Sequence, residues 1–125
     1  MLSVWEGLAE YYRAVGGEEW KECLDNMFRL AIDAEITVIG NAGADVYWPR
    51  LYGEGWSNSR FEQTNPSVKR MMETCVGVTW IKYCSQYLTL TGNPEAVDYI
   101  EKYIYNGLLG AMKPDGTGFS YVNLL

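Results

Sequence analysis

Two stretches of this chain repeat one pattern: an amphipathic helix, a glycine turn and a second amphipathic helix. Setting Gly16 against Gly92, an offset of 76 residues, brings Tyr11 onto Tyr87, Trp20 onto Ala96, Leu24 onto Ile100, Phe28 onto Ile104 and Ile32 onto Leu108. A helical hairpin cannot bury its apolar stripe alone, so tandem hairpins stack into solenoids or toroids. Any two antiparallel amphipathic pairs would align comparably. The pattern therefore fixes the class, all-α with two tandem helical hairpins, more firmly than the architecture.

Four helices are expected. The first covers about residues 2–15, with Val4, Leu8, Tyr11, Tyr12 and Val15 on one face. Gly16-Gly17 ends it, and Glu18-Glu19 suit the positive end of the next helix. That second helix, about 18–34, carries Trp20, Leu24, Met27, Phe28, Ala31 and Ile32 as its stripe. The third covers about 67–90, with Met71, Cys75, Val78, Ile81, Tyr83, Leu88 and Leu90. Thr91-Gly92-Asn93-Pro94 is a turn, with Pro94 at the head of a fourth helix, about 94–111, that uses Val97, Ile100, Ile104, Leu108 and Leu109. Ile36-Thr37-Val38-Ile39-Gly40 is β-branched and short, which favours extended backbone. Lys113-Pro114-Asp115-Gly116 is a turn, and Phe119-Ser120-Tyr121 alternates as a short C-terminal strand would.

Between the hairpins, residues 40–69 form a long irregular segment rich in Gly, Pro, Asn and Ser. Loops of this length inside a compact domain are uncommon unless they are functional. Tyr47, Trp48, Tyr52, Trp56 and Phe61 make it more aromatic than a flexible linker.

At 125 residues the chain holds one domain at most. Ten Tyr and five Trp either fill helix–helix gaps or offer ring faces for sugars. A net charge of −6 with no Lys/Arg run argues against nucleic acid as a partner. No apolar stretch reaches the roughly 18–20 residues of a membrane span. The first residues lack the basic and apolar regions of a signal peptide, which makes a cytoplasmic location the default expectation. Cys23, Cys75 and Cys84 are odd in number and widely spaced, unlike a disulfide framework. Histidine is absent, which excludes a Ser-His-Asp or Cys-His system and any His-based metal site within the chain. Carboxylates, thiols and tyrosines remain for chemistry.

Glu73 and Cys75, in Met72-Glu73-Thr74-Cys75-Val76-Gly77-Val78-Thr79-Trp80, are the first constellation. Zinc accepts both S and O ligands, but two ligands do not complete a site. The alternative is a small buried hydrophobe beside a surface acid. Glu54, in Gly53-Glu54-Gly55-Trp56, is the second candidate, either a general acid or a solvated loop acid, with Glu62 a rival in the same loop. Trp48, Tyr52 and Trp56 flank Glu54, as a sugar subsite would require or as a loop folded onto helices would. Asn106, beside Gly107, reads as structural.

The E-T-C block with Thr79-Trp80, preceded by Glu6-Gly7-Leu8, Tyr12-Arg13-Ala14 and Ile36 to Gly40 and followed by Tyr105-Asn106-Gly107-Leu108-Leu109, resembles the β-L-arabinofuranosidase-type family of bacterial glycoside hydrolases. The resemblance covers most of the chain and implies an (α/α)6 toroid of which this is about a third. It also implies that Glu73 and Cys75 are two zinc ligands. The remaining ligands and a thiolate nucleophile would come from a paired-cysteine segment further toward the C-terminus, which these residues do not contain. Glu54 matches the family's acid/base position, although its spacing to Glu73 is a few residues longer and its neighbours differ. The expectation is one partial domain, residues 1–125, of a retaining glycoside hydrolase with a carbohydrate substrate. The isolated chain would be inactive, bind no zinc stoichiometrically and associate with copies of itself. The rival reading is a non-enzymatic helical-repeat module that binds a peptide or protein partner. It explains the repeat but not Glu73-Thr74-Cys75 followed by Thr79-Trp80.

Overall fold

A computed structural model describes residues 2–44, 55–68 and 71–123. Helix α1 (Leu2–Val15) and α2 (Glu18–Leu30) form the first hairpin, and α2 runs on into a π-helical turn, Ala31–Glu35. A single-turn helix α3 (Ser59–Glu62) precedes α4 (Thr74–Thr91). Helix α5 (Glu95–Lys102) continues through a second π-helical segment, Tyr103–Leu108, into the last turn α6 (Leu109–Ala111). Helix α4 is central, packed against α1 on one side and α5 on the other, while α1 also packs on α2.

The two hairpin turns are built alike. Gly16 and Gly92 both adopt φ 70, a conformation that costs glycine little. Each donates its N–H to the carbonyl four residues back, Gly16 to Tyr12 and Gly92 to Leu88, both at 2.8 Å. Tyr12 and Leu88 are themselves 76 residues apart, so the offset holds in the backbone. Burial does not follow it. Leu24, Phe28 and Ile32 are buried, whereas Ile100, Ile104 and Leu108 are only half-buried.

The core is aromatic. Phe28 stacks on Tyr87 with centroids 4.3 Å apart and on Trp80 at 5.6 Å, and Trp5 meets Tyr83 edge-on at 5.7 Å. Ala9, Ala31 and Ala96, all fully buried, let helices approach around these rings. The buried phenols are satisfied: Tyr83 donates to the Leu24 carbonyl at 2.9 Å and Tyr87 to Asp25 at 2.6 Å. Much of the aromatic excess among the described residues is therefore packing.

This changes which helix faces point inward. Helix α1 buries Leu2, Trp5 and Ala9, with Leu8 and Tyr12 at the margin, while Val4, Tyr11 and Val15 are exposed. Helix α4 buries Val76, Trp80, Tyr83, Cys84 and Tyr87, with Cys75 and Val78 outside. Along α5 and its π extension, Ala96, Tyr103 and Gly107 are buried and Val97 and Leu109 are exposed. In these three helices a second apolar stripe, pairing large rings with Ala or Gly, outcompetes the expected stripe because it removes more apolar area from water. By contrast, α2 and its π-helical turn bury the expected Leu24, Phe28, Ala31 and Ile32.

Three local expectations are corrected. Helix α4 starts at Thr74 rather than near residue 67, because residues 71–73 pair with neighbouring chain instead. Ile36 is extended, but Gly40 donates to the Thr37 carbonyl at 3.0 Å, so the β-branched run closes into a turn. The C-terminal strand reduces to isolated antiparallel bridges, Met112 with Phe119 and Glu73 with Val122; the described residues contain no longer strand.

Candidate functional site at the start of helix α4

The chain enters α4 through a short, heavily paired segment. Met71 bridges Ala44, Met72 N–H donates to the Gly43 carbonyl at 2.7 Å, and Glu73 bridges Val122. Thr74 closes the entry: its N–H donates to the Tyr121 carbonyl at 2.9 Å and its hydroxyl to that of Ser120 at 2.6 Å. Glu73 is the N-cap residue of α4, at φ −57 and ψ 133, and is only 1% exposed. Cys75 lies in the first helical turn and is exposed.

Residues i and i+2 of a continuous helix point away from each other. Glu73 and Cys75 nevertheless converge, with Cys75 Sγ 2.6 Å from Glu73 Oε1, because the extended ψ at the cap swings the Glu73 side chain toward the helix end. A soft sulfur and a hard oxygen therefore meet at one point, a donor combination zinc accepts. Among the described residues no group of three or more Cys, Asp or Glu side chains gathers to complete such a site.

Tyr103 backs this helix end. Its hydroxyl donates to the Thr74 carbonyl at 2.8 Å. Burial, with a further contribution from the Cys75 thiol, pushes its pKa up to about 12. Three glycines make room for it. A Cβ on Gly77 would lie 2.2 Å from the Tyr103 ring, one on Gly107 2.6 Å from the ring, and one on Gly40 2.7 Å from the Tyr103 backbone nitrogen.

Glu54, Trp48 and Tyr52 lie outside the described residues. The chain on either side of them is pinned. Ala44 N–H donates to the Gly55 carbonyl at 2.8 Å and Gly43 N–H to the Ser59 hydroxyl at 2.9 Å. Behind this neck, the buried Glu35 carboxylate accepts from Asn58 N–H, Ser59 N–H and the Ser59 hydroxyl at 3.0, 3.0 and 2.6 Å. Ala44 is thus flanked by Gly55, the residue after Glu54, and by Met71, two residues before Glu73. Trp56 is half-buried and meets Trp5 edge-on at 4.8 Å, at the margin of the core. Glu62 accepts from Asn65, and Asn106 donates to the Lys102 carbonyl at 2.7 Å.

Sequence reasoning missed Glu35, Asn41, Met72 and Tyr103. Only the glycines around Tyr103 leave a trace in the sequence, and they lie 63, 26 and 4 residues from it in Gly40, Gly77 and Gly107.

Known proteins share the fold and the sequence pattern of this chain. A non-reducing end β-L-arabinofuranosidase of Bifidobacterium longum subsp. longum is 24% identical over 119 residues, covering 95% of this chain and 17% of that protein. The crystal structure of a GH127 β-L-arabinofuranosidase from Geobacillus stearothermophilus T6 superposes with a TM-score of 0.78 at 21% identity, over 99% of this chain and 18% of that one. The chain therefore spans less than a fifth of the length of either relative. Residues 3–125 match the profile of the β-L-arabinofuranosidase GH127 catalytic domain, and the chain belongs to that family of glycoside hydrolases.

Proposed function

We propose that these residues form part of a retaining glycoside hydrolase acting on β-L-arabinofuranosidic glycans, in which Glu73 and Cys75 are two ligands of a zinc ion. The observation that carries this reading is the 2.6 Å approach of Cys75 Sγ to Glu73 Oε1 at the start of α4, in a chain of this family. Zinc, when bound, supplies the charge that keeps a cysteine thiol ionised at neutral pH. The other ligands and the nucleophile belong to parts of the enzyme outside residues 1–125, as does most of an (α/α)6 ring.

Within this chain, Glu54 is the proposed acid/base: it protonates the leaving oxygen and later takes a proton from water. Gly55 and Met71 flanking Ala44 support a shared cleft, since two strand spacings bring their backbones within about 10 Å. Trp48, Tyr52 and the exposed part of Trp56 are the proposed sugar-stacking surface.

The test is hydrolysis of an aryl β-L-arabinofuranoside by the longer enzyme. Glu54→Gln should lower kcat by about 10²–10⁴, and Glu73→Gln and Cys75→Ser should each deplete bound zinc. Full activity in Glu54→Gln would remove Glu54 from the mechanism. The isolated 125-residue chain should show no turnover and far less than stoichiometric zinc by metal analysis. A chelator-resistant zinc in it would mean that the ligand set is complete here and that the reading as part of a larger site is wrong.

A further inference from the structure

The residue before Glu73 is backbone-strained. Met72 has φ 56, in the left-handed region that residues other than glycine, asparagine and aspartate seldom occupy. Among the described residues the other non-glycine with positive φ is Asn58, whose side chain tolerates it. Met72 is fully buried, so its surroundings must hold this conformation.

Those surroundings converge on its main chain. The Met72 carbonyl accepts from Asn41 Nδ2 at 3.2 Å, from Asn123 Nδ2 at 3.2 Å and from Asn123 N–H at 3.3 Å. Its N–H is held by the Gly43 carbonyl, and Asn123 Nδ2 also donates to the Thr74 hydroxyl at 3.0 Å. Asn41 is fixed in turn. Its Oδ1 accepts from Ala42 N–H at 2.8 Å, and its own carbonyl accepts from both the N–H and the hydroxyl of Thr37. The amide lies so close over Gly77 that a Cβ there would stand 2.7 Å from Asn41 Oδ1.

The direction of the Glu73 side chain follows from this turn. The Met72 carbonyl and the Glu73 nitrogen share one planar peptide. With that peptide clamped and Thr74 held in α4, the cap dihedrals of Glu73, φ −57 and ψ 133, are fixed, and a released peptide frees the ψ that turns the Glu73 side chain toward Cys75. We infer that Asn41 and Asn123 are positioning residues whose amides clamp the Met72 carbonyl, and with it the left-handed turn that sets the Glu73 carboxylate against the Cys75 thiol. The purpose assigned to that pairing rests on the metal-ligand reading above; the clamp itself does not.

The S–H stretching band of the chelator-treated chain reads the pairing without any metal. A thiol donating to a carboxylate absorbs at lower frequency than an unbonded one, and Cys75→Ala identifies the band against Cys23 and Cys84. Asn123→Ala should return the Cys75 band to the frequency of an unbonded thiol while circular dichroism keeps its helical signal. Adding Met72→Gly to Asn123→Ala should restore part of the shift, since glycine takes φ 56 without a Cβ clash. If Asn123 served packing alone, deleting the Met72 side chain as well could restore nothing. Asn123→Asp, which keeps the shape and loses the side-chain donors, gives the same expectation should the alanine variant unfold. A folded Asn123 variant with the wild-type band, or a double variant no nearer wild type than the single one, overturns the inference. Failure of the metal reading, seen as a Glu73→Gln enzyme that keeps its zinc, would leave the band result unchanged.

Discussion

Tyr103 shows how tightly single residues are fitted around this site. Its ring occupies space that Gly77 and Gly107 leave empty, and its hydroxyl reaches the first turn of α4. Gly77→Ala should therefore destabilise the chain by about 1–3 kcal/mol or more through overpacking. Gly7→Ala is the control: Gly7 is exposed in α1 with nothing within 4 Å of the place a methyl would take, so the same substitution there should stabilise by about 0.5–1 kcal/mol. Urea unfolding of the two variants side by side checks both signs. Alkaline pH probes the same tyrosine. Its pKa is about 12 in the folded chain against an ordinary 10.0, so the folded state holds the proton more tightly. The stability this provides is complete below pH 10 and is lost as pH rises toward 12. Burial pushes the Tyr83 phenol and the Cys84 thiol in the same direction, and the thiol, ordinarily at 9.0, starts the loss at lower pH. A Tyr103→Phe variant should show a flatter decline between pH 10 and 12 in a series of thermal melts.

At the scale of elements, the two hairpins differ less in their turns than in how their second helices end. Both run into π-helical segments, which are rare in globular proteins and recur near functional sites. The first ends at Glu35, whose carboxylate ties down the start of α3 and so the chain that follows residue 54. The second begins at Tyr103, behind the start of α4. Glu35→Gln replaces one acceptor oxygen by a donor facing a donor. It should cost about 1–3 kcal/mol locally and speed exchange of the Asn58 and Ser59 amides, while α1 and α2 exchange unchanged. Hydrogen exchange followed by NMR would show this. Equal acceleration throughout the chain would instead make the Glu35 contact part of the global core.

Across the whole molecule, several large apolar side chains stay outside. Val4 and Val15 on α1, Leu30 at the end of α2, and Tyr105, Leu109 and Met112 spaced i, i+4 and i+7 are all more than 40% exposed. Phe119, bridged to Met112, extends the last of these patches. In a helical ring such faces would meet neighbouring hairpins, and apolar patches beyond a few hundred Å² promote association when left open. We expect the isolated chain to self-associate, most simply as a two-fold dimer. Leu109→Glu with Tyr105→Lys should shift it to monomer in sedimentation velocity at micromolar concentration. A wild-type monomer that unfolds cooperatively would show that these faces need no partner.

The sequence by itself determined what depends on near neighbours in the chain. The all-α class, the glycine turns at Gly16 and Gly92 and the pairing of an acid with a thiol two residues on are legible because helix period, positive φ and motif spacing are local properties. Tertiary structure alone decided which of two apolar stripes α1, α4 and α5 bury, since both satisfy the helical period and only packing against Trp5, Trp80, Tyr83 and Tyr87 separates them, while the α2 stripe was legible in the sequence. It likewise decided that residues 71–73 pair rather than coil into α4, and that Glu73 reaches Cys75 at all. That contact depends on a strained Met72 held by Asn41 and Asn123, 31 and 51 residues away, and no local pattern in a sequence encodes partners so distant.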